Sequence, residues 1–473
     1  MAEPLWTAGQ IAAATGGAAS GAFDVYGVAI DSREVNQGDL FVALKGDNQD
    51  GHDYLAAATG RGASGALVER GGAIPAGTAV VTVGDTLSGL TALGAASRDR
   101  LAGTVIGVTG SVGKTGTKTA IAAALARSGA TYASERSFNN HIGVPLTLAR
   151  TPAATRYAVL EMGMNHAGEL SALTAIARPH VAVVTTIAEV HMEFFASLEA
   201  VADAKAEIFE GVQPGGAVVL NRENSQFERL AARATELGVS RIISFGARED
   251  CDVRLIKARL HEDCSTATAD VMGTLLTFKI GIPGDHWLSN SLAVLATVSA
   301  AEADLGLAGL ALAEMQPPRG RGRRHRVDYR DGDILVVDES YNASPVAMLA
   351  AIKGLGQSVP GRRARRIAVL GDMRELGEQG PALHEALRQP LRDAGVDIVV
   401  AVGPLMQDMA SGLGSSIQVF DSATAQDALQ QVLDIVVPGD VVMVKGSNAI
   451  GLSRVVDALL AMQDRSALRR AAG

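Results

Sequence analysis

Gly107-Val-Thr-Gly-Ser-Val-Gly-Lys-Thr-Gly-Thr-Lys-Thr119 decides the fold. A β-rich run at 104–108 leads into it and an alanine-rich run at 120–128 leads out. A glycine loop between a strand and a helix turns successive backbone N–H groups, and the helix N-terminus, onto phosphate oxygens. In that setting Thr109, Gly110, Ser111, Val112 and Gly113 line a nucleoside triphosphate. Lys114 reaches the β- and γ-phosphates and Thr115 offers its hydroxyl to Mg2+. The general phosphate-loop pattern has Gly five residues before Gly113, where this sequence has Val108, so Gly110 and Gly113 carry the turn.

Upstream, short alternating runs at 25–30, 39–44, 65–69 and 79–83 are separated by glycine-rich turns and predict a small α/β domain over 1–98. Downstream, strand-like segments at 157–160, 181–186, 217–220 and 242–245 alternate with helical stretches such as 198–209. They predict a mostly parallel sheet covered on both faces, in a central ATP-binding domain over 99–315. Within it, 252–281 reads as a β excursion and 288–303 as a helix. The basic stretch Gln316-Pro-Pro-Arg-Gly-Arg-Gly-Arg-Arg-His-Arg326 then opens a doubly wound, Rossmann-like C-terminal domain over 316–473, with strands at 334–337, 367–370, 398–402 and 441–444. The expected fold is α/β in three domains. Ligands of open α/β sheets bind at the carboxyl ends of strands, so a cleft between the two larger units is the expected site.

The 473 residues are 47% hydrophobic and 20% charged, as in an ordinary soluble globular protein. A net charge of −9 argues against a nucleic-acid-binding surface. Cys251 and Cys264 have no His or Cys companions at metal spacing and read as free thiols in a reducing cytoplasm. Met1-Ala-Glu-Pro-Leu-Trp6 lacks the basic and apolar segments of a secretory signal. No apolar run approaches the roughly 20 residues that span a bilayer. A cytoplasmic protein without membrane insertion is expected.

Polar residues gather at the predicted strand ends. Glu161 closes the strand at 157–160, and a carboxylate beside a phosphate loop is the usual partner of Mg2+; otherwise it is a solvated strand-end acid. His191 follows the strand at 181–186 and by itself reads equally as a surface residue. Lys205, flanked by Asp203 and Glu207, fits a solvated helix face by spacing. Asn139 and Asn140, ahead of Gly143 and Pro145, form either a plain turn or a pair of amides reading a peptide-like ligand. Asp338-Glu-Ser-Tyr-Asn-Ala-Ser-Pro345 and Lys445-Gly-Ser-Asn448 end strands on one edge of the third domain. The run at 319–326 reads as a solvated basic linker or as a source of charge for the site.

Taken in order, Thr109-Gly-Ser-Val-Gly-Lys-Thr115, Asn139-Asn140, Glu161-Met-Gly163, His191, Lys205 and Gly284-Asp-His-Trp-Leu-Ser-Asn290 resemble the landmarks of the Mur ligases, the ATP-dependent amide ligases of bacterial cell-wall synthesis. The resemblance covers almost the whole chain, and Thr-Gly-Ser-x-Gly-Lys-Thr is the loop form of that family. Asp31-Ser-Arg33 with Gly38-Asp-Leu-Phe-Val-Ala-Leu-Lys-Gly46 and Gly51-His52, Glu161-Met-Gly-Met-Asn-His-Ala-Gly-Glu169, the Asp338 stretch and Leu370-Gly-Asp-Met-Arg-Glu-Leu-Gly377 are similar to the branch that takes D-alanyl-D-alanine. The Asp-Asn-Pro-Arg motif of the sibling that adds a diamino acid does not occur.

The resemblance implies a reaction. ATP phosphorylates the peptide carboxylate of UDP-N-acetylmuramoyl-tripeptide (UDP-MurNAc-tripeptide), and the amine of D-alanyl-D-alanine (D-Ala-D-Ala) attacks the acyl phosphate. It also implies roles. Thr115 and Glu161 hold one Mg2+, and His191 and a carbamylated Lys205 hold a second. Arg321 faces the γ-phosphate, Asn290 matches a nucleotide-site amide and Asp338 binds the ribose. Ser32, Leu44, Gly46 and His52 bind the sugar nucleotide and Asn139 and Asn140 the tripeptide. Tyr341, Asn342, Lys445 and Ser447 serve the dipeptide or ATP, without a basis for separating the two. A monomer with no nucleic-acid partner is expected. Two positions depart from the family pattern: Trp287 stands where Asn is frequent, and Asp203 replaces the first Lys of Lys-x-Lys. A folylpolyglutamate synthase-like ligase shares the loop but not the Asp31-Ser-Arg33 and Gly38-Asp-Leu-Phe41 runs. A nucleotide-binding scaffold protein leaves the polar strand ends without purpose.

Overall fold

Valine-rich strands buried along their whole length place the phosphate loop inside a sheet covered on both faces. Tyr157–Glu161 and Val181–Val184 are buried at every position and flank Thr104–Thr109, all three parallel. The structure is a computed structural model that describes residues 3–46, 49–71, 74–189, 193–261, 263–361 and 364–471. Among these residues the central sheet runs Thr274–Ile280, Ser265–Val271, Val253–Leu260, Arg241–Gly246, Ala217–Asn221, Val181–Val184, Thr104–Thr109, Tyr157–Glu161, Thr131–Ala133. The antiparallel meander from Val253 to Ile280 is the expected β excursion. Thr131–Ala133, an edge strand of three residues, was not expected.

Chain order reverses around Thr104–Thr109, since the chain next visits the far edge at Thr131–Ala133 and later crosses to Val181–Val184. Glu161 pairs with Val108 and Val184 with Thr109, so Glu161, Gly110 and Thr185 come together at the carboxyl edge of this switch point. On one face the helices Lys114–Ala126 and Asp285–Ala300 pack together. Trp287 is 4% exposed, and a Cβ on Gly116 would lie 3.0 Å from its ring. The family departure at 287 therefore serves packing: an indole fills the space a glycine leaves on the phosphate-loop helix.

The C-terminal sheet runs Arg323–Tyr329, Gly332–Glu339, Val441–Lys445, Arg366–Gly371, Ile398–Val402, Gln418–Ser422 and is parallel except for its first strand. Arg323–Tyr329 corrects the linker reading for 323–326. It turns Val327 and Tyr329 into the core and leaves Arg323 and Arg326 exposed, the charged edge that discourages strand addition.

In the N-terminal sheet Gly27–Ala29, Asp39–Val42, Gly65–Glu69 and Val80–Val83 are parallel, with Ala18–Ala19 antiparallel at the edge. Helix Thr86–Arg100 runs through the expected boundary at 98/99 and packs on helix Gly143–Arg150, where a Cβ on Gly94 would meet Pro145 Cα at 2.9 Å. Leu146 and Ala149 share one core with Trp6, Leu40 and Val81. Trp6 Nε1 donates to Ala149 O at 2.8 Å beneath the Arg100 guanidinium, 3.6 Å above the indole. Among the described residues no helix is long and apolar enough to cross a membrane.

Candidate active site

The phosphate loop has a shape only glycine permits at two points. Gly110 has φ +144, and a Cβ there would lie 2.0 Å from Thr185 Oγ1. Gly113 has φ +87 and caps helix Lys114–Ala126. The segment after Val181–Val184 grips the loop from outside: Thr185 Oγ1 donates to Val112 O at 2.6 Å and Ser111 N–H to Thr186 O at 2.8 Å. The first N–H groups of the helix are left without intrahelical acceptors. Lys114 Nζ donates to Gly110 O at 2.7 Å, and burial pushes its pKa down against the pull of Glu161. Asn290 Oδ1 stands 3.3 Å from where Gly113 would carry a Cβ, so this amide borders the loop.

Glu161 is 1% exposed. Its Oε1 accepts from Asn139 Nδ2 at 2.9 Å, while Oε2 accepts no hydrogen bond and has Lys118 Nζ at 3.9 Å. Thr115 Oγ1 lies 3.2 Å from Ser137 Oγ and accepts from Arg321 Nη2 at 3.1 Å. A buried acceptor without a donor costs about 1–3 kcal/mol. A carboxylate oxygen of that kind, with a threonine hydroxyl at the head of the phosphate-loop helix, is the oxygen chemistry a hard divalent cation takes, so these residues fit Mg2+.

Lys205 is not on a solvated face. Its neighbours are: Asp203 pairs with Arg229 at 2.7 Å, and Glu207 accepts from Gly168 N–H at 2.7 Å. Lys205 itself is 1% exposed. Burial, reinforced by the Lys114 charge, holds its pKa well below the ordinary lysine value. His191 lies outside the described residues.

Arg321 brings the C-terminal domain to the loop through its bond to Thr115, and Tyr341 supports the guanidinium from 4.3 Å. Lys445, 2% exposed, donates to Asn342 O at 2.9 Å and stands 3.5 Å from Glu339 Oε2. Burial lowers its pKa and Glu339 opposes the shift. Ser447 Oγ accepts from Arg374 N–H at 2.9 Å. Asp338 is 1% exposed; Oδ2 accepts from Gly320 N–H at 2.7 Å and Oδ1 from Ser340 Oγ at 2.6 Å. Besides the ribose role that the resemblance implies, this carboxylate ties the basic stretch to a strand end. Asn342 is exposed, and its Oδ1 accepts from Ala343 N–H.

Several other expected ligands also have protein partners. Asn139 binds Glu161, and Asn140 Oδ1 accepts from Ile142 and Gly143 N–H at 3.2 and 2.9 Å, capping helix Gly143–Arg150. His52 Nε2 accepts from Glu69 N–H at 2.9 Å, which leaves the proton on Nδ1, 2.6 Å from Asp50 Oδ1. Both ring nitrogens thus fasten a loop. In the same region Leu44 O accepts from Gly51 N–H, Gly46 N–H donates to Gln49 O, and Leu44 is half-buried. Ser32 opens the turn Ser32–Glu34, capped by Asp31, whose carboxyl the Arg33 side chain pulls down to about 2. The sequence reading missed Ser134, Ser137, Thr185 and Lys118. Only Lys118 carried a signal: four residues beyond Lys114, it shares that lysine's helix face.

Known domain families match these three units in order: the Mur ligase family catalytic domain at 24–97, the Mur ligase middle domain at 108–298, and the Mur ligase glutamate ligase domain at 322–448. The UDP-N-acetylmuramoyl-tripeptide–D-alanyl-D-alanine ligase of Rickettsia prowazekii is 30% identical over 96% of this chain and 99% of its own length. This chain belongs to the Mur ligase family. Among solved structures, MurF from Acinetobacter baumannii superposes on this Mur ligase with a TM-score of 0.82 at 29% identity, covering 97% of this chain and 99% of that one. The MurF ligase of Thermotoga maritima in complex with ADP gives 0.75 at 27% identity over 93% and 99%.

Proposed function

We propose that this Mur ligase joins D-alanyl-D-alanine to UDP-N-acetylmuramoyl-tripeptide with ATP, giving the UDP-MurNAc-pentapeptide, ADP and phosphate. The observation that carries the reading is the meeting at Thr115, where the phosphate loop, the Glu161 carboxylate support and Arg321 of the C-terminal domain converge. The Rickettsia relative's name and the full-length match to MurF structures support the substrates. The domain roles follow: 1–98 grips the sugar nucleotide, 99–315 holds ATP, and 316–473 brings the dipeptide and part of the ATP site. ATP and a UDP-sugar as substrates agree with a cytoplasmic location, and a monomer suffices because one chain carries all three units.

A carboxylate has too poor a leaving group to react with an amine in water. A carboxylate oxygen of the tripeptide attacks the γ-phosphorus and ADP leaves; the amine then attacks the acyl carbon, phosphate departs, and the amine proton is lost. Phosphoryl transfer rewards positioning and charge cancellation. Lys114 and the loop amides hold the phosphates, and Arg321 adds positive charge where it builds up. Thr115 and Glu161 would hold one Mg2+, and His191 with Lys205 a second; when bound, such ions screen phosphate charge and orient the oxygens. The lowered pKa of Lys205 favours a neutral amine, which can add to CO2 and lose a proton to become a carbamate anion, converting a buried cation into a metal ligand. Tyr341, Asn342, Lys445 and Ser447 are candidates for the dipeptide or ATP, and Asp338 is the candidate for the ATP ribose while also holding the basic stretch in place.

The test supplies ATP, UDP-MurNAc-tripeptide and D-Ala-D-Ala and follows phosphate and product mass. Phosphate release that depends on both acceptors, with a product of pentapeptide mass, is the expected result; release independent of the dipeptide would sink the proposal.

A further inference from the structure

Lys118 has no place in the reaction above, yet it is 3% exposed and surrounded by parts of the site. Its Nζ donates to Ser134 O at 2.6 Å and Arg136 O at 2.8 Å and lies 3.9 Å from Glu161 Oε2. The segment it grips serves the carboxylate and the phosphate loop. Ser134 Oγ accepts the Glu161 N–H at 3.2 Å, Ser137 Oγ meets Thr115 Oγ1 at 3.2 Å, and Asn139 Nδ2 holds Glu161 Oε1 at 2.9 Å. Arg136 sits at φ +50, a strained conformation for a residue with a side chain, so the segment needs an outside hold to keep this path. Lys118 supplies that hold from the phosphate-loop helix itself, one turn beyond Lys114.

We propose that Lys118 is a positioning residue for the cation site: it locks the segment 134–139 onto the phosphate-loop helix and so fixes the Glu161 carboxylate with one oxygen left for a divalent cation. This rests on the reading of Glu161 as a cation ligand. The anchoring is done by the two donated hydrogen bonds, and the positive charge is secondary.

The test measures Mn2+ binding to the ADP-bound protein by electron paramagnetic resonance, with ADP affinity in a chelator measured alongside. Lys118→Met removes the donors and is expected to weaken Mn2+ by about 10-fold, the lower end of what is lost with supporting residues of metal sites. ADP affinity without metal should stay within about 2-fold, well inside one tenfold step. Lys118→Gln keeps an N–H for the carbonyls without the charge and should lose less than about 3-fold in Mn2+ affinity. Unchanged Mn2+ binding in Lys118→Met overturns the proposal, as does a loss in Lys118→Gln as large as in Lys118→Met. Should the Met variant not fold, a loss of about 10-fold or more in the Gln variant overturns it by itself. Glu161→Gln separates the two readings: if it binds Mn2+ like the parent, Glu161 is not a ligand and the underlying assignment falls, whatever Lys118 does.

Discussion

At the carboxyl edge of the central sheet, buried Glu161 keeps an oxygen without a donor. At the same edge of the C-terminal sheet, Asp338 is engaged by Gly320 and Ser340, and Lys445 is met by Asn342 and Glu339. The residue types are alike and the burial is alike, but the satisfaction is opposite. Buried polar groups without partners destabilise a fold, so they persist where something outside the chain completes them. The first edge is built to receive ligands. The second holds its own shape first, sends Arg321 across, and offers its ligands groups that the fold has already positioned.

The largest effect should come from Lys205→Met. Ligation should fall by roughly 10²–10³-fold with the loss of a charged group at the reacting phosphate. The thermal midpoint should rise, because a desolvated buried amine is replaced by an apolar chain of similar length. Phosphate release and calorimetry read the two halves, and a lower midpoint would break the contrast. Arg321→Ala should cost about 10²-fold in kcat with little change in unfolding midpoint, since the lost contact lies between domains. Gly110→Ala forces a methyl to 2.0 Å from Thr185 Oγ1 in a positive-φ loop. It should lower stability by about 1–3 kcal/mol in denaturant titration and abolish ADP binding. The smallest effect belongs to Asp338→Asn, which should cost about 1 kcal/mol of stability through one weakened set of hydrogen bonds. ATP KM should rise by about 3-fold or more, since an amide holds a ribose hydroxyl less well than a carboxylate; an unchanged KM would leave Asp338 the structural role alone.

What could be read from the sequence was local. Glycines at 110 and 113 and valine runs at 181–184 and 441–444 announce their conformations within a few residues. Arg323–Tyr329 was hidden because an edge strand exposes charge on the face where alternation would show. Lys205 was hidden by the opposite effect: solvated Asp203 and Glu207 beside it imitate a wet helix face. Partner choice was out of reach. Asn139 finds Glu161 and His52 finds Glu69 through folding of distant segments, and no spacing rule encodes either. A family resemblance can point to such residues as ligands, while their hydrogen bonds show a structural occupation as well.

Helix Gly143–Arg150 belongs by sequence to the central unit and packs on two cores, the central one through Val144 and Leu148 and the first through Leu146 and Ala149. Between Asn139, bound to Glu161, and the start of that helix there is only a capped turn. Whatever the first domain grips is therefore held at a set distance from the phosphate loop by a stretch of covalent chain. Such a chain acts as a ruler. A tripeptide whose carboxylate arrives short or long would miss the γ-phosphate however well its sugar nucleotide was bound, so reach would select the acyl substrate before any contact with its side chains.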